Sequence, residues 1–228
     1  MPLSKDKPRI LDAFCGAGGA ARGYQDAGFY VVGVDKEPQP NYMGDQFIRG
    51  DALEYLGILL RHRHHLRGFD AIHASPPCQQ YSRAFRHLAR EEPKLIEPTR
   101  DLLRETGLPF IIENVPGAPI PRQDTLDGRY GVELCGSMFG LRVHRHRLFE
   151  TNFAVTQPAC AHTAPAMNPH NAKGREEIGY APERQWREAM GVPWMSKAET
   201  REAIPPAFTR HIGEALLTHL QAGSKVAA

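Results

Sequence analysis

Residues 9–35 read RILDAFCGAGGAARGYQDAGFYVVGVD. An apolar run, a glycine-dense turn, a helix-like stretch, a second apolar run and a closing aspartate follow one another. That order marks a strand, a tight turn, a helix and a second strand parallel to the first. The same alternation continues outward. Apolar runs predict further strands at Phe47–Arg49, Phe69–His73, Phe110–Glu113, Val132–Leu134 and Arg147–Thr151, after those at Arg9–Phe14 and Tyr30–Val34. Helices are predicted over Ala20–Ala27, Ala52–Leu66 and Pro93–Thr106, then Glu183–Met190, Lys197–Ala203 and Ala207–Gln221, with a frayed tail at Ala222–Ala228. Strands alternating with helices imply an α/β chain with a doubly wound, mostly parallel sheet. Ligands of such sheets bind beyond the carboxyl ends of the strands, so the turns there are where chemistry is sought.

The whole chain of 228 residues is 41% hydrophobic and 24% charged, which excludes a disordered polymer and allows one sizeable core. No uncharged apolar run approaches the roughly 18 residues of a membrane span, and MPLSKDKPRI has no apolar signal core. Net charge is only +2, yet the basic residues divide into 21 Arg and 7 Lys. Arginine suits planar contacts to phosphates and base edges, although genomic base composition enriches it too. Cys15, Cys78, Cys135 and Cys160 are scattered and form no disulfide framework. The expected setting is a reducing, intracellular compartment.

Three turns carry candidate chemistry. In CGAGGAARG, Gly16, Gly18 and Gly19 permit a tight turn close to a ligand, and the following helix presents its N-terminal N–H groups. Asp35 ends the next strand, where a carboxylate accepts the hydroxyls of a ribose, and Asp51 follows the third strand. Read alone, this site fits NAD, FAD or S-adenosylmethionine. The fourth strand ends in SPPCQQYS, residues 75–82. Its two prolines fix the backbone and aim Cys78 at the ligand end of the sheet. Nearby arginine and a cationic cofactor would let this thiol ionise readily and act as a nucleophile. The polar run after it, with Arg83, Arg86 and Arg90, suits a loop closing over an anionic substrate. Glu113 follows apolar residues in PFIIENVPGA, so burial should raise its pKa toward neutrality and suit it to proton donation. Arg145 and Arg147 alternate in LRVHRHRLFE and should share one strand face with Val143.

Together these pieces resemble the DNA (cytosine-5) methyltransferase family, in that family's order. DAFCGAGG is similar to its cofactor loop, VGVDKEP to its ribose-binding strand and SPPCQQYS to its catalytic turn. ENVPGA resembles the proton-donor strand, RHRLFE the arginine strand, and AIPPAFTRHIG the last motif, which returns to complete the cofactor site. The resemblance covers roughly residues 9–151 and 184–220. It implies a Rossmann-like, S-adenosylmethionine-dependent methyltransferase. Phe14, Gly16, Gly18, Asp35 and Asp51 would hold the cofactor, Asp35 on the ribose and Asp51 near the adenine. Cys15, Ala17, Gly19, Lys36, Ala52 and Pro76 would line the same site. Cys78 would attack cytosine C6, Glu113 would bind and protonate N3, and Arg147, supported by Arg145, would contact O2. The target base must be flipped out of a duplex or already unpaired.

By the same resemblance, residues 1–228 form one catalytic domain, 152–183 a reduced target-recognition insertion and 184–221 helices completing the cofactor site. The chain departs from the family in three places. Val143 stands where a Gln is usual, the recognition interval is short, and QWREAMGVPW is at most a remnant of the penultimate motif. Small phage-encoded members share this compact layout. DNA is the expected partner, single- or double-stranded, and a partner subunit for target recognition is compatible with the short interval. No membrane partner is expected. The rivals are RNA, including tRNA, or a free nucleotide as methyl acceptor, a NAD- or FAD-dependent oxidoreductase, and a non-catalytic nucleic-acid binder. The basic run RHRHHLR at 61–67 suits phosphates or a solvated helix end. Cys160, His162 and His170 have the residue types of a zinc site, but three irregularly spaced ligands do not define one, and no metal is expected. Trp186 and Trp194 are expected in the core.

Overall fold

The computed structural model describes residues 7–78, 81, 94–126, 128–162 and 183–226. Their strands are β1 (Arg9–Ala13), β2 (Tyr30–Asp35), β3 (Gln46–Arg49), β4 (Ala71–Ala74), β5 (Phe110–Asn114), β6 (Tyr130–Leu134) and β7 (Arg147–Thr151). The helices are α1 (Gly19–Ala27), α2 (Ala52–Arg61), α3 (Arg63–Leu66), α4 (Ile96–Thr106), α5 (Glu183–Met190), α6 (Lys197–Glu202) and α7 (Pro206–Val226). One sheet takes the order β3-β2-β1-β4-β5-β7-β6. β1 to β5 are parallel, whereas β7 runs antiparallel to both β5 and β6.

Each central strand is apolar on both faces, as a sheet covered on both sides requires. Ile10, Val31, Ala71, Ile111 and Phe149 pack with residues of α1 and α7. Leu11, Val32, Ile72, Ile112 and Leu148 pack with Leu56 and Leu59 of α2 and Leu103 of α4. The strand order reverses between β1 and β4, which opens a crevice at their carboxyl ends.

Several predicted boundaries move for local reasons. β1 stops at Ala13 because Phe14 takes a left-handed φ of 61°. The predicted helix over Ala52–Leu66 breaks at His62, whose φ and ψ of −116° and 67° are not helical. Arg145 lies before β7 rather than within it. α7 continues through the expected frayed tail to Val226, since AGSKV contains no proline to stop it. The predicted start of α4 at Pro93, the run from Arg83 to Arg90, His170 and most of the 152–183 interval lie outside the described residues.

One contact ties a helix to the sheet and another packs two helices together, and neither has a short sequence signature. Arg100 of α4 donates to Glu150 of β7, Nε to Oε1 at 2.9 Å and Nη2 to Oε2 at 2.7 Å, and to the Pro119 carbonyl at 3.0 Å. Both partners are buried. On the opposite face α1 lies against the start of α7. A Cβ built on Gly23 would stand 2.1 Å from the Pro206 carbonyl oxygen and 2.1 Å from Thr209 Oγ1. Thr209 Oγ1 in turn donates to the Ala20 carbonyl at 2.9 Å.

Gly23→Ala should therefore destabilise the protein despite alanine's better helix propensity. Overpacking costs about 1–3 kcal/mol and exceeds the propensity gain of about 1 kcal/mol, read as a lower midpoint in urea unfolding. Arg100→Met should cost more, about 3–5 kcal/mol in the same measurement, because the buried Glu150 loses its hydrogen-bonded guanidinium and keeps only Arg129 at 3.9 Å.

Candidate active site

The turn after β1 is shaped by its backbone. Gly18 precedes α1 with a φ of 80°, and a Cβ there would lie 2.8 Å from the Met43 backbone nitrogen. Only glycine meets both conditions. The Gly16 N–H donates to Asp35 Oδ2 at 3.0 Å, and the Glu37 N–H donates to Asp35 Oδ1 at 3.0 Å. Asp35 thus ties the turns after β1 and β2 together while keeping lone pairs for a ligand. Asp51 caps α2, its Oδ1 accepting from the Leu53 and Glu54 N–H groups at 2.9 and 3.0 Å. Its other oxygen carries none of the capping load.

These turns open on a cavity of about 490 Å³. Of the expected site residues, Phe14, Cys15, Gly16, Ala17, Gly19, Asp35, Lys36, Asp51, Ala52, Pro76, Cys78, Glu113 and Arg147 line it. Gly18 and Arg145 do not: Gly18 shapes the backbone behind the wall, and Arg145 turns toward α6. The buried Arg145 donates through Nη2 to the Arg201 carbonyl at 2.6 Å. Sequence reading missed Asp12, Met195, Glu199 and Glu202 in the lining. Asp12 stands inside a strand like any core residue. Glu199 forms a capping box with Ser196 at the start of α6, a local signal that says nothing of the cavity. Gly19, expected at the ligand, also makes room for α7's approach, since a Cβ on it would meet the Ile204 carbonyl at 2.5 Å.

Cys78, Glu113 and Arg147 converge from three segments. Arg147 Nε pairs with Glu113 Oε1 at 3.0 Å. The neighbouring Asn114 donates its amide to the Pro76 carbonyl at 2.8 Å, tying the end of β5 to the turn that bears Cys78. Burial raises the Glu113 pKa, and Arg147, Arg145 and a hydrogen bond with Ser75 oppose it only in part. Glu113 is almost wholly buried. Behind it, Tyr24 Oη and His73 Nδ1 lie 2.9 Å apart, and His73 Nε2 and Ser75 Oγ 2.7 Å apart. Burial lowers the His73 pKa to about 3, so this imidazole is neutral near pH 7. Cys78 corrects an expectation. Burial first, and the Glu113 carboxylate second, push its thiol up, while Arg147 and Arg145 pull it down less strongly. The thiol is held protonated here rather than readily ionised.

Asp12 is fully buried, and neither carboxylate oxygen has a hydrogen-bond partner. Burial, then Asp35 and Glu113, raise its pKa to about 8. Carboxyl residues dominate the ionisable lining: Asp12, Asp35, Glu37, Asp51, Glu113, Glu199 and Glu202 against Lys36 and Arg147. An unpartnered buried carboxyl within an acid-rich wall suits a cationic ligand bearing hydroxyl groups.

A family model described as C-5 cytosine-specific DNA methylase matches residues 8–126, just over half of the chain. The chain belongs to that family. The chain is similar in fold to solved structures at low identity. Against the S. pombe Dnmt2 methyltransferase the TM-score is 0.61 at 14% identity, covering 94% of this chain and 99% of that one. Against the Entamoeba histolytica methyltransferase EhMeth it is 0.58 at 13% identity, covering 95% and 99%. The chain spans about half the length of a prophage-encoded DNA modification methyltransferase (E. coli), covering 66% of this chain and 49% of that one at 21% identity and a TM-score of 0.47. Comparison with curated proteins gave no significant match. The fold is a Rossmann-like methyltransferase fold. No helix among the described residues is long and apolar enough to cross a membrane.

Other features of the sequence take structural parts. Val143, where the family usually has Gln, is buried with Trp186, Met190 and Val192. Trp186 is in that core, as expected, whereas the half-buried Trp194 donates its indole N–H to the Ala17 carbonyl at 3.0 Å. Residues 61–65 and 67 of the basic run are exposed, and none lines the cavity.

The Asp12 environment yields a pH dependence. Its folded pKa lies above its unfolded value of 3.8. Stability tied to this group is therefore full below about pH 4 and is lost as pH rises toward about 8. Asp12→Asn should raise the thermal midpoint at pH 8 by several degrees while changing it little at pH 4.5.

Proposed function

We propose that this protein methylates C5 of cytosine in DNA, using S-adenosylmethionine and a covalent Cys78–C6 adduct. The observation that carries the reading is the meeting of Cys78, Glu113 and Arg147 at one acid-lined cavity. The cofactor fits the residues present: Asp35 and Asp51 for its hydroxyl-bearing nucleoside end, and the unpartnered Asp12 and its acidic neighbours for its positive charge. When bound, S-adenosylmethionine supplies the methyl group.

The chain's own residues supply the rest. Glu113, its pKa raised by burial, delivers a proton to cytosine N3 and draws electron density from C6. Arg147 holds O2 and compensates the charge that develops on the ring. Cys78 releases its proton to water and bonds to C6 as the C5–C6 double-bond electrons shift to C5, which makes C5 nucleophilic. After C5 is methylated, loss of the C5 proton and expulsion of the Cys78 sulfur restore the aromatic ring. The arginines and the cofactor's positive charge offset the burial that holds this thiol protonated. Arg145 acts through position, anchoring the lead-in to β7 on α6. In this reading residues 1–228 act as one catalytic domain. Residues 152–183 stand in for a target-recognition region, or a partner subunit supplies one, and the helices within 184–221 close the cofactor site. Glu199, Glu202, Ala203 and Ile204 in the cavity wall support that last assignment.

The test is methyl transfer from labelled S-adenosylmethionine to single-stranded DNA, duplex DNA and tRNA, followed by digestion to nucleosides. Label should appear in 5-methyldeoxycytidine and vanish in Cys78→Ala. Glu113→Gln should lower the rate by about 10²–10⁴-fold, the range for loss of a positioned proton donor. Label in 5-methylcytidine alone would move the substrate to RNA. Cofactor binding without transfer to any polymer would overturn the reading in favour of a binding role.

A further inference from the structure

A second cluster of chemically potent side chains lies outside the cavity. Cys135 follows the end of β6 and is fully buried. His146 immediately precedes β7. After β7 the chain returns beside β6, where the Glu133 N–H donates to Gln157 Oε1 at 2.8 Å. That return brings Cys160 and His162 to Cys135. The ligand atoms of Cys135, His146, Cys160 and His162 all lie within 4.8 Å of one another. Individual separations are 3.3 Å from Cys135 Sγ to His162 Nε2, 3.1 Å from Cys160 Sγ to the same nitrogen, and 3.7 Å from Cys160 Sγ to His146 Nε2.

Those separations have a simple reading. A zinc ion bound tetrahedrally by sulfur at about 2.3 Å and nitrogen at about 2.0 Å sets sulfur and nitrogen roughly 3.6 Å apart. The observed values bracket that figure. The donor set is two thiols and two imidazoles, the soft mixed set that selects zinc among common divalent ions. Supporting contacts surround it as they do at metal sites. Ser137 Oγ lies 3.3 Å from Cys135 Sγ and 3.5 Å from Cys160 Sγ. The His144 ring stacks on His162, centroids 3.9 Å apart and planes within 15°.

We propose that Cys135, His146, Cys160 and His162 form a structural zinc site that clips the segment after β7 onto the arginine strand. Four protein ligands leave no open coordination position, and none of the four lines the cavity, so the ion is structural rather than catalytic. The expectation of no metal differs from this proposal. It rested on Cys160, His162 and His170, whereas the fold supplies Cys135 and His146 from the preceding hairpin. The site also bears on the cavity. His146 lies between Arg145 and Arg147, and Arg147 Nη1 donates to the His146 carbonyl at 2.9 Å. Anchoring His146 therefore steadies the backbone from which both arginines project.

The experiment uses the full chain, with any affinity tag removed and no chelator in the buffers. Elemental analysis should find about one zinc per chain, as a closed structural site requires. Cys160→Ser and His162→Ala, both at exposed positions, should each lose most of that zinc while far-ultraviolet circular dichroism stays that of a folded α/β protein. Cobalt(II) added to the zinc-depleted chain should give the intense visible bands of tetrahedral thiolate coordination, absent in both variants. Zinc removal should lower the thermal midpoint of the wild-type chain and leave that of the variants unmoved. A wild-type chain that takes up neither zinc nor cobalt, equal zinc in wild type and variants, or a Cys135–Cys160 disulfide found by mass spectrometry would each overturn the proposal.

Discussion

Strand β7 runs against β5, and the register of that pair governs the chemistry-bearing end of the sheet. Leu148 faces Asn114 and Phe149 faces Glu113, so Arg147 begins its strand at the edge where β5 ends. A parallel β7 would have carried Arg147 to the other end of the sheet. Because it runs antiparallel, the guanidinium reaches the Glu113 carboxylate, and two ionisable groups are buried as partners rather than singly. The pairing matters because an isolated charge at such depth would be far more costly. Asn114 extends the same arrangement sideways to Pro76, so the thiol, the acid and the cation are held by one continuous edge.

The second constraint is close approach. α7 contacts α1 where Gly23 carries no side chain, and the chain just before α7 reaches Gly19 in the same way. This contact places the end of the chain over the turn that follows its first strand. Trp194 and Arg145 strengthen the closure through hydrogen bonds to the Ala17 and Arg201 carbonyls. As a result α6, remote in sequence from the glycine turn, contributes Glu199 and Glu202 to the cavity wall. The acid-rich wall is thus assembled from both ends of the chain. That geometry explains why a carboxyl as deeply buried as Asp12 remains without a partner: its surroundings suit a cation, not a hydrogen-bonded core.

The proposed zinc ligands and the arginine strand belong to one local structure. Cys135 closes β6, His146 opens β7, and Cys160 and His162 return beside them. Phe153 packs in the core and Gln157 accepts from the Glu133 N–H, and bonds to a metal would add a further hold at Cys160 and His162 with few residues.

Much of this architecture was legible in the linear pattern. Apolar runs alternating with helical stretches located all seven strands, because a strand covered on both faces must be continuously apolar. Turn chemistry marked Gly16, Gly18 and the Pro76-Pro77-Cys78 step, because backbone restraint is a local property of those residues. The direction of β7 was not legible, since an apolar run reads the same in either orientation. Nor was the ionisation of Cys78, which depends on how deeply the thiol is buried and on how near Glu113 lies. Glu199, Glu202 and the pairing of Cys135 with His162 were hidden for the same reason: they meet only through contacts between distant segments. The sequence by itself determined the elements and the residue types available for chemistry, because those follow from local periodicity and backbone freedom. Only the tertiary structure decided which of those residues face one another, because distance and burial, not spacing along the chain, set the strength of charges and the reach of ligands.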